Sequence, residues 1–289
     1  MDRRAHDGVR HRDVHDGVTG LTEQLTTILD HVPAALLVIF RIGGLMIFGP
    51  LLASSIIPTR VKLYLAVMLG LAMYPAVSAH VRIDVSPVLD LWSLAPLVFT
   101  ELLFGAAIGF MANLPLVSVQ IGGLIMGQQM GLGFARFFNP AAQVDENVIG
   151  QLLFLVTMAG FISIGGLESL FVAVLNSFEH VPPPSLGGFG ADLEMLSLMV
   201  GLLTAAFELA LRVAAPLLAL IFLQTIAMGF IAKTVPQVNI LSLGFPLRIL
   251  AGLTIIALGL FVLDEVVLER VDDVLNLILT WVESLGQTV

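Results

Sequence analysis

The sequence holds no cysteine. That excludes disulfides, thiolate metal sites and cysteine nucleophiles, and it leaves the redox compartment open. Charge is scarce as well: Asp, Glu, Lys and Arg make up 12% of the chain, against 57% hydrophobic residues. Soluble domains are about a quarter charged and under half apolar, so the medium around most of this chain is lipid or other apolar protein. Basic residues are the scarcer sign, 13 Lys and Arg against 22 Asp and Glu, for a net charge of −9. A nucleic-acid partner would want the opposite balance, so none is expected. Catalytic signatures are missing too. There is no HExxH, no GxSxG and no Walker motif. Glu179-His180 stands beside a proline-rich stretch and reads as the wet end of a helix rather than an acid–base pair. No enzyme, cofactor or metal site is expected.

What is present is apolar and helical in period. The 289 residues suit six or so membrane helices of about 20 residues each, so the expected fold is an all-α integral membrane protein. Residues 1–31 are set apart as a polar extension: the first 20 contain four Arg, four Asp, three His and three Gly with no apolar period, which reads as disorder. A long apolar run follows, too long for a cleaved signal peptide. Apolar runs cover Val32–Ile57, Val61–Ala79, Leu94–Leu116 with a helical continuation over Ile121–Met130, Val148–Phe178, Leu193–Lys233 and Ile240–Leu263. Pro216 is expected to kink or divide the long run that holds it. Residues 32–263 thus form the expected membrane domain. Beyond it, Val267, Val271, Val274, Ile278, Trp281 and Leu285 recur at helical spacing with acids between them. That pattern describes an amphipathic helix over 264–289. Its acidic polar face suits a protein partner or an intramolecular pairing better than a lipid surface. Arg60, Lys62 and Lys233 mark cytoplasmic-side loops.

Two sets of residues stand out. Gly123, Gly127 and Gly131 recur every fourth position and line one helix face, where another backbone can approach closely. Gly105 and Gly109 do the same earlier. The glycine helix then runs into a breaker-rich segment containing Met130, Leu132, Phe134, Arg136, Phe137, Phe138, Asn139 and Pro140. Irregular backbone at membrane depth is tolerated only inside protein or along an aqueous path. The segment is therefore either part of a channel or an ordinary surface loop. The second set is charged: Arg41, Glu101, Glu168, Glu208, Arg212 and Arg248 interrupt apolar runs. Each costs about 2.5–3.5 kcal/mol at a helix centre unless it faces a partner. Glu208 and Arg212 are four apart and can pair on their own helix. Glu101 and Glu168 read as salt bridges to other subunits in preference to a proton relay.

Four stretches carry a family resemblance, in order and with matching spacing: Ile57-Pro58-Thr59-Arg60-Val61-Lys62-Leu63; Met126 to Ala135 followed by Phe138-Asn139-Pro140; Pro236-Gln237-Val238-Asn239; and Gly244-Phe245-Pro246-Leu247. Together the chain resembles the FliR family of flagellar type III export gate subunits, related to an injectisome subunit. The resemblance implies a non-enzymatic channel subunit of kinked helical hairpins, similar to FliP in its first part and to FliQ in its last. It implies assembly with FliP-like and FliQ-like chains, FlhB-like and FlhA-like neighbours, and unfolded export substrates in transit. It also implies a plug loop at about Leu132–Asn147 and a place in the bacterial inner membrane at the flagellar basal body. Three features depart from the family pattern: the N-terminal extension, Gly165-Gly166-Leu167 in place of NGH, and Asn139 in place of Asp. A small-molecule transporter is the rival reading. It would show matching broken helices in two halves, and only Ile57-Pro58 and Val235-Pro236 echo one another.

Overall fold

A computed structural model of the chain describes residues 31–54, 57–80, 91–134, 147–182, 193–235 and 240–285. All regular structure among them is helical. In chain order the helices are α1 (His31–Phe48), α2 (Thr59–His80), α3 (Leu91–Met130), α4 (Val148–Ser163), α5 (Gly166–His180), α6 (Leu193–Thr234) and α7 (Ile240–Leu285), with a 3₁₀ turn at Leu132–Phe134 after α3. The helical membrane fold expected from composition is therefore the fold found. Among the described residues five helices are long and apolar enough to cross a membrane, or six if α4 and α5, bent by 64° at their junction, count as one span.

The breaks fall elsewhere than expected. The first apolar run stops being helical at Phe48, because Gly49-Pro50 follows and Leu51 takes a positive φ of 63°. The run Val148–Phe178 is two helices, parted where Gly165 adopts φ 76°, a left-handed conformation that glycine enters without strain. Conversely, Pro216 does not divide its run. α6 continues through it for 42 residues, since a proline removes one hydrogen bond while the surrounding apolar turns keep theirs. α7 likewise runs unbroken across the compositional change at 263–264. At 1.5 Å per residue, the 40, 42 and 46 residues of α3, α6 and α7 give rods of about 60–70 Å. That is roughly twice a bilayer's hydrocarbon thickness.

α3 is the hub, packed against α4, α5, α6 and α7. It also meets α1 backbone to backbone. A Cβ on Gly109 would lie 2.8 Å from the Gly49 nitrogen, and Cβ atoms on Gly105 and Gly44 would collide with the carbonyls of Arg41 and Leu102. Only glycine permits that approach. One continuous core runs from Ile42 and Leu45 through Phe104 and Ile108 to Phe178, Ile278 and Val282. The far hairpin is different. Within the spans of α3, α6 and α7, 61%, 22% and 11% of residues are buried, and Phe222, Phe230, Leu250 and Leu258 are largely exposed. The α6–α7 hairpin therefore presents its apolar surface outward, to lipid or to other chains.

Candidate functional site

The stem of the breaker-rich segment is held from both sides. α3 ends at Met130, whose side chain is completely buried. It fits because α7 offers Gly252 opposite: a Cβ there would stand 2.5 Å from the Met130 sulfur. Gly131 then takes φ 83°, and its N–H donates to the Gln128 carbonyl at 3.0 Å, which turns the chain out of the helix. Leu132 and Gly133 follow in the 3₁₀ turn and are half-buried. On the return side, α4 comes back against α3 through glycine. A Cβ on Gly123 would lie 2.6 Å from the Gly150 Cα. Two members of the predicted glycine face are thus placed directly, Gly123 at a helix crossing and Gly131 at the helix end, while Gly127 is buried on α3. The backbone of Phe134 closes the described turn. Arg136, Phe137, Phe138, Asn139 and Pro140 lie outside the described residues.

The second centre is a buried ion pair. Arg41 of α1 and Glu101 of α3 are both completely buried and meet at 2.6 Å. The Arg41 Nε donates to Glu101, one terminal nitrogen donates to Ser177 Oγ at 2.9 Å, and the other donates to the Val181 carbonyl at 3.0 Å. The guanidinium faces are covered by Phe178 at 4.1 Å and Phe104 at 4.8 Å. Phe104 in turn stacks on Trp281 of α7, 5.4 Å between centroids. Arginine suits this place because its flat fork satisfies several acceptors at once while its faces take aromatic rings. Four helices are thereby tied at one point. Glu101, expected to meet another subunit, is instead held by an arginine of its own chain.

The remaining charges behave differently. Glu168 is exposed in the first turn of α5, where a helix N-terminus favours an acid. Glu208 and Arg212 pair at 2.5 Å on α6, as their spacing predicts, with both side chains more than half exposed. Arg60 is exposed at the start of α2 and Lys62 half-buried beside it. Lys233 occupies the last turn of α6, where a cation complements the helix end. The alternative left open for the acidic tail resolves inward. Val271, Leu275, Ile278, Trp281 and Val282 are buried, and α7 packs against α3 and α5 within the same chain.

Several contributors carry no strong sequence signal. Arg41 and Glu101 are opposite charges in apolar runs, but nothing local links them across the 60 positions between them. Ser177, Phe178 and Trp281 look like ordinary helix residues, and Gly252 is one glycine among 27.

Long apolar helices, a glycine-lined hub and a buried ion pair satisfied within the bundle define an all-helical membrane protein. Within that class, the family model for bacterial export proteins, family 1, matches residues 32–274. The chain belongs to that family. It is 28% identical over 219 residues to the flagellar biosynthetic protein FliR of Escherichia coli K12, covering 76% of this chain and 81% of that one. The FliR protein of Bacillus subtilis 168 is 28% identical over 245 residues, covering 84% and 92%. The Yop proteins translocation protein T of Yersinia pestis is 29% identical over 181 residues, covering 62% and 67%.

Proposed function

We propose that this chain is a non-enzymatic channel subunit of a flagellar type III protein export gate in the bacterial inner membrane. The family and its FliR relatives support the class. The observation that carries the reading is the loop stem: the central helix ends at a locked Met130 and a left-handed Gly131, and the return helix is fastened by Gly150. Both ends of the segment between them are thus held on the hub. In this reading residues 132–147 are the plug. Phe134, Phe137 and Phe138 exclude water from the closed pore, Asn139-Pro140 shapes the turn, and Arg136 borders it. The outward-facing α6–α7 hairpin is then the FliQ-like part and the α1–α3 region the FliP-like part. They assemble with FliP-like and FliQ-like chains beside FlhB-like and FlhA-like neighbours, with unfolded export substrates passing through.

Co-expression of a tagged copy with its neighbouring membrane proteins, followed by mass measurement of the detergent-extracted complex, tests the reading. A complex containing FliP-like and FliQ-like chains is the expected result. Recovery as a lone monomer or homodimer that binds a small solute would replace the gate with a transporter. The Yersinia pestis relative favours one alternative within the class, an injectisome gate. Deleting the gene separates the two: loss of motility marks the flagellar assignment, and loss of effector secretion with motility intact marks the other.

A further inference from the structure

The outer half of the α6–α7 hairpin is held to the bundle at few points. Among the described residues of 222–235 and 242–258, only Met228, Gly252 and Ile256 are buried. The two arms are tied to each other. The Gln224 amide donates to the Gly244 carbonyl at 3.5 Å, an Arg248 terminal nitrogen donates to Thr225 Oγ1 at 3.2 Å, and a Cβ on Gly244 would touch Met228 at 3.8 Å. On the bundle side the seat is Gly252. A Cβ there would lie 2.5, 2.6 and 2.7 Å from the Sδ, Cγ and Cε of Met130, so the thioether fills the space a larger residue would need. Glycine inside a helix is less favourable than any residue but proline, and here it provides a notch. Met130 is the last residue of α3, completely buried, and the left-handed Gly131 follows it directly. The place where the hairpin meets the hub is thus also the stem of residues 132–147.

We infer that Met130 and Gly252 form a latch between the outward hairpin and the loop stem. While the hairpin lies against α3, Met130 fills the notch and the turn at Gly131 is held. Drawing the outer hairpin away from the hub unseats Met130 and frees the stem, so the position of the hairpin sets whether residues 132–147 stay closed. Packed contacts of this kind are made or broken rather than stretched. Methionine suits the part, since its unbranched chain turns about several bonds and can leave and re-enter a notch. The inner half of α6 takes no part. Its Leu209, Val213 and Leu217 are buried, and α3 comes close enough there that a Cβ on Gly122 would lie 3.1 Å from that of Val213. The inference rests on the reading of residues 132–147 as a plug and adds what controls it.

The chain has no cysteine of its own, so Met130→Cys with Gly252→Cys places its only thiol pair, at a spacing a disulfide can close. The complete chain carrying both changes is assayed in cells with its neighbouring membrane proteins, for export and for ion leakage, oxidised and reduced. Oxidation should lower export about tenfold or more, and reductant should restore it. The control, Gly122→Cys with Val213→Cys, crosslinks α3 to the inner half of α6 and should export equally in both states. Export unchanged by a crosslink verified by mass between positions 130 and 252, failure of that crosslink to form, or an equal loss in the control would each overturn the latch. Gly252→Val needs no oxidant and covers the case of a paired variant that does not assemble. By keeping Met130 out of its seat it should raise leakage about threefold or more, and Met130→Ala should bring it back; leakage at the parent level would also overturn the latch. Removing residues 135–146 separates the two readings. It should raise leakage, and if it does not, the plug reading falls and the latch with it; raised leakage there beside an indifferent crosslink removes the latch alone.

Discussion

Replacing Arg41 with Met removes the charge and keeps an unbranched apolar stem. Glu101 is then left completely buried with its guanidinium gone, and Ser177 Oγ and the Val181 carbonyl each lose a donor. Breaking a buried pair by deleting one member costs about 3–5 kcal/mol. In a domain of this size each kcal/mol moves the unfolding midpoint by about 2–4 °C. The expected drop is therefore about 6–20 °C. Trp281 is the natural probe, since its ring stacks on Phe104, which covers the guanidinium. Its fluorescence, followed on heating the detergent-solubilised protein, should shift at the lowered midpoint. The companion variant Arg41→Met with Glu101→Gln removes both charges and should recover about half of the loss or more, because apolar replacement of a whole pair is often close to neutral. A single variant melting within about 2 °C of the parent, or a double variant no better than the single, would show that the pair is not what holds the four helices together.

Other expectations are narrower. Gly105→Leu drives a side chain into the Arg41 carbonyl of α1; overpacking of this kind costs about 1–3 kcal/mol or more, and size-exclusion chromatography should show aggregated or missing protein. Gly252→Ala presses on the flexible Met130 side chain, so it should be mild in stability, near 1 kcal/mol, yet alter export or ion leakage; adding Met130→Ala should reverse the change. Glu208→Gln breaks a pair exposed on the α6 surface and should change the melting midpoint by no more than about 2 °C, since such pairs contribute under about 1 kcal/mol. Pro140→Ala should change ion leakage or export rate if the segment seals a pore, and unchanged values of both would remove Asn139-Pro140 from that role.

Composition and periodicity carry the class because burial in an apolar medium needs apolar residues nearly everywhere, whatever their partners. Breaks are harder to read. The Pro216 signal points to a kinked or divided helix, of which the structure excludes the division, and the split between α4 and α5 rests on one left-handed glycine in a run that otherwise looks continuous. A local signal gives the cost of a helix break or its absence, but the surrounding bundle decides whether that cost is met. The site divides the same way. Gly123 is legible because close approach demands glycine, whereas Gly131, expected on the packing face, instead ends the helix in a left-handed conformation. The fate of Glu101 is not legible, since its partner lies 60 residues away and no local period links them. The pairing of Glu208 with Arg212 is legible because it needs only one helix.

α5 ends at His180, and Val181 just beyond it is buried in the bundle, followed by Pro182. The last carbonyls of a helix have no further turn to receive them, and burial of Val181 keeps water from one of them. Arg41 supplies what is missing for one of them from a different helix, donating one terminal N–H to the Val181 carbonyl and bringing a positive charge to the negative pole of α5. The guanidinium is thus a C-terminal cap borrowed across the fold. The chain passes from buried Val181 to exposed Pro182 at this point, and the point is held by a residue 140 positions earlier in the chain.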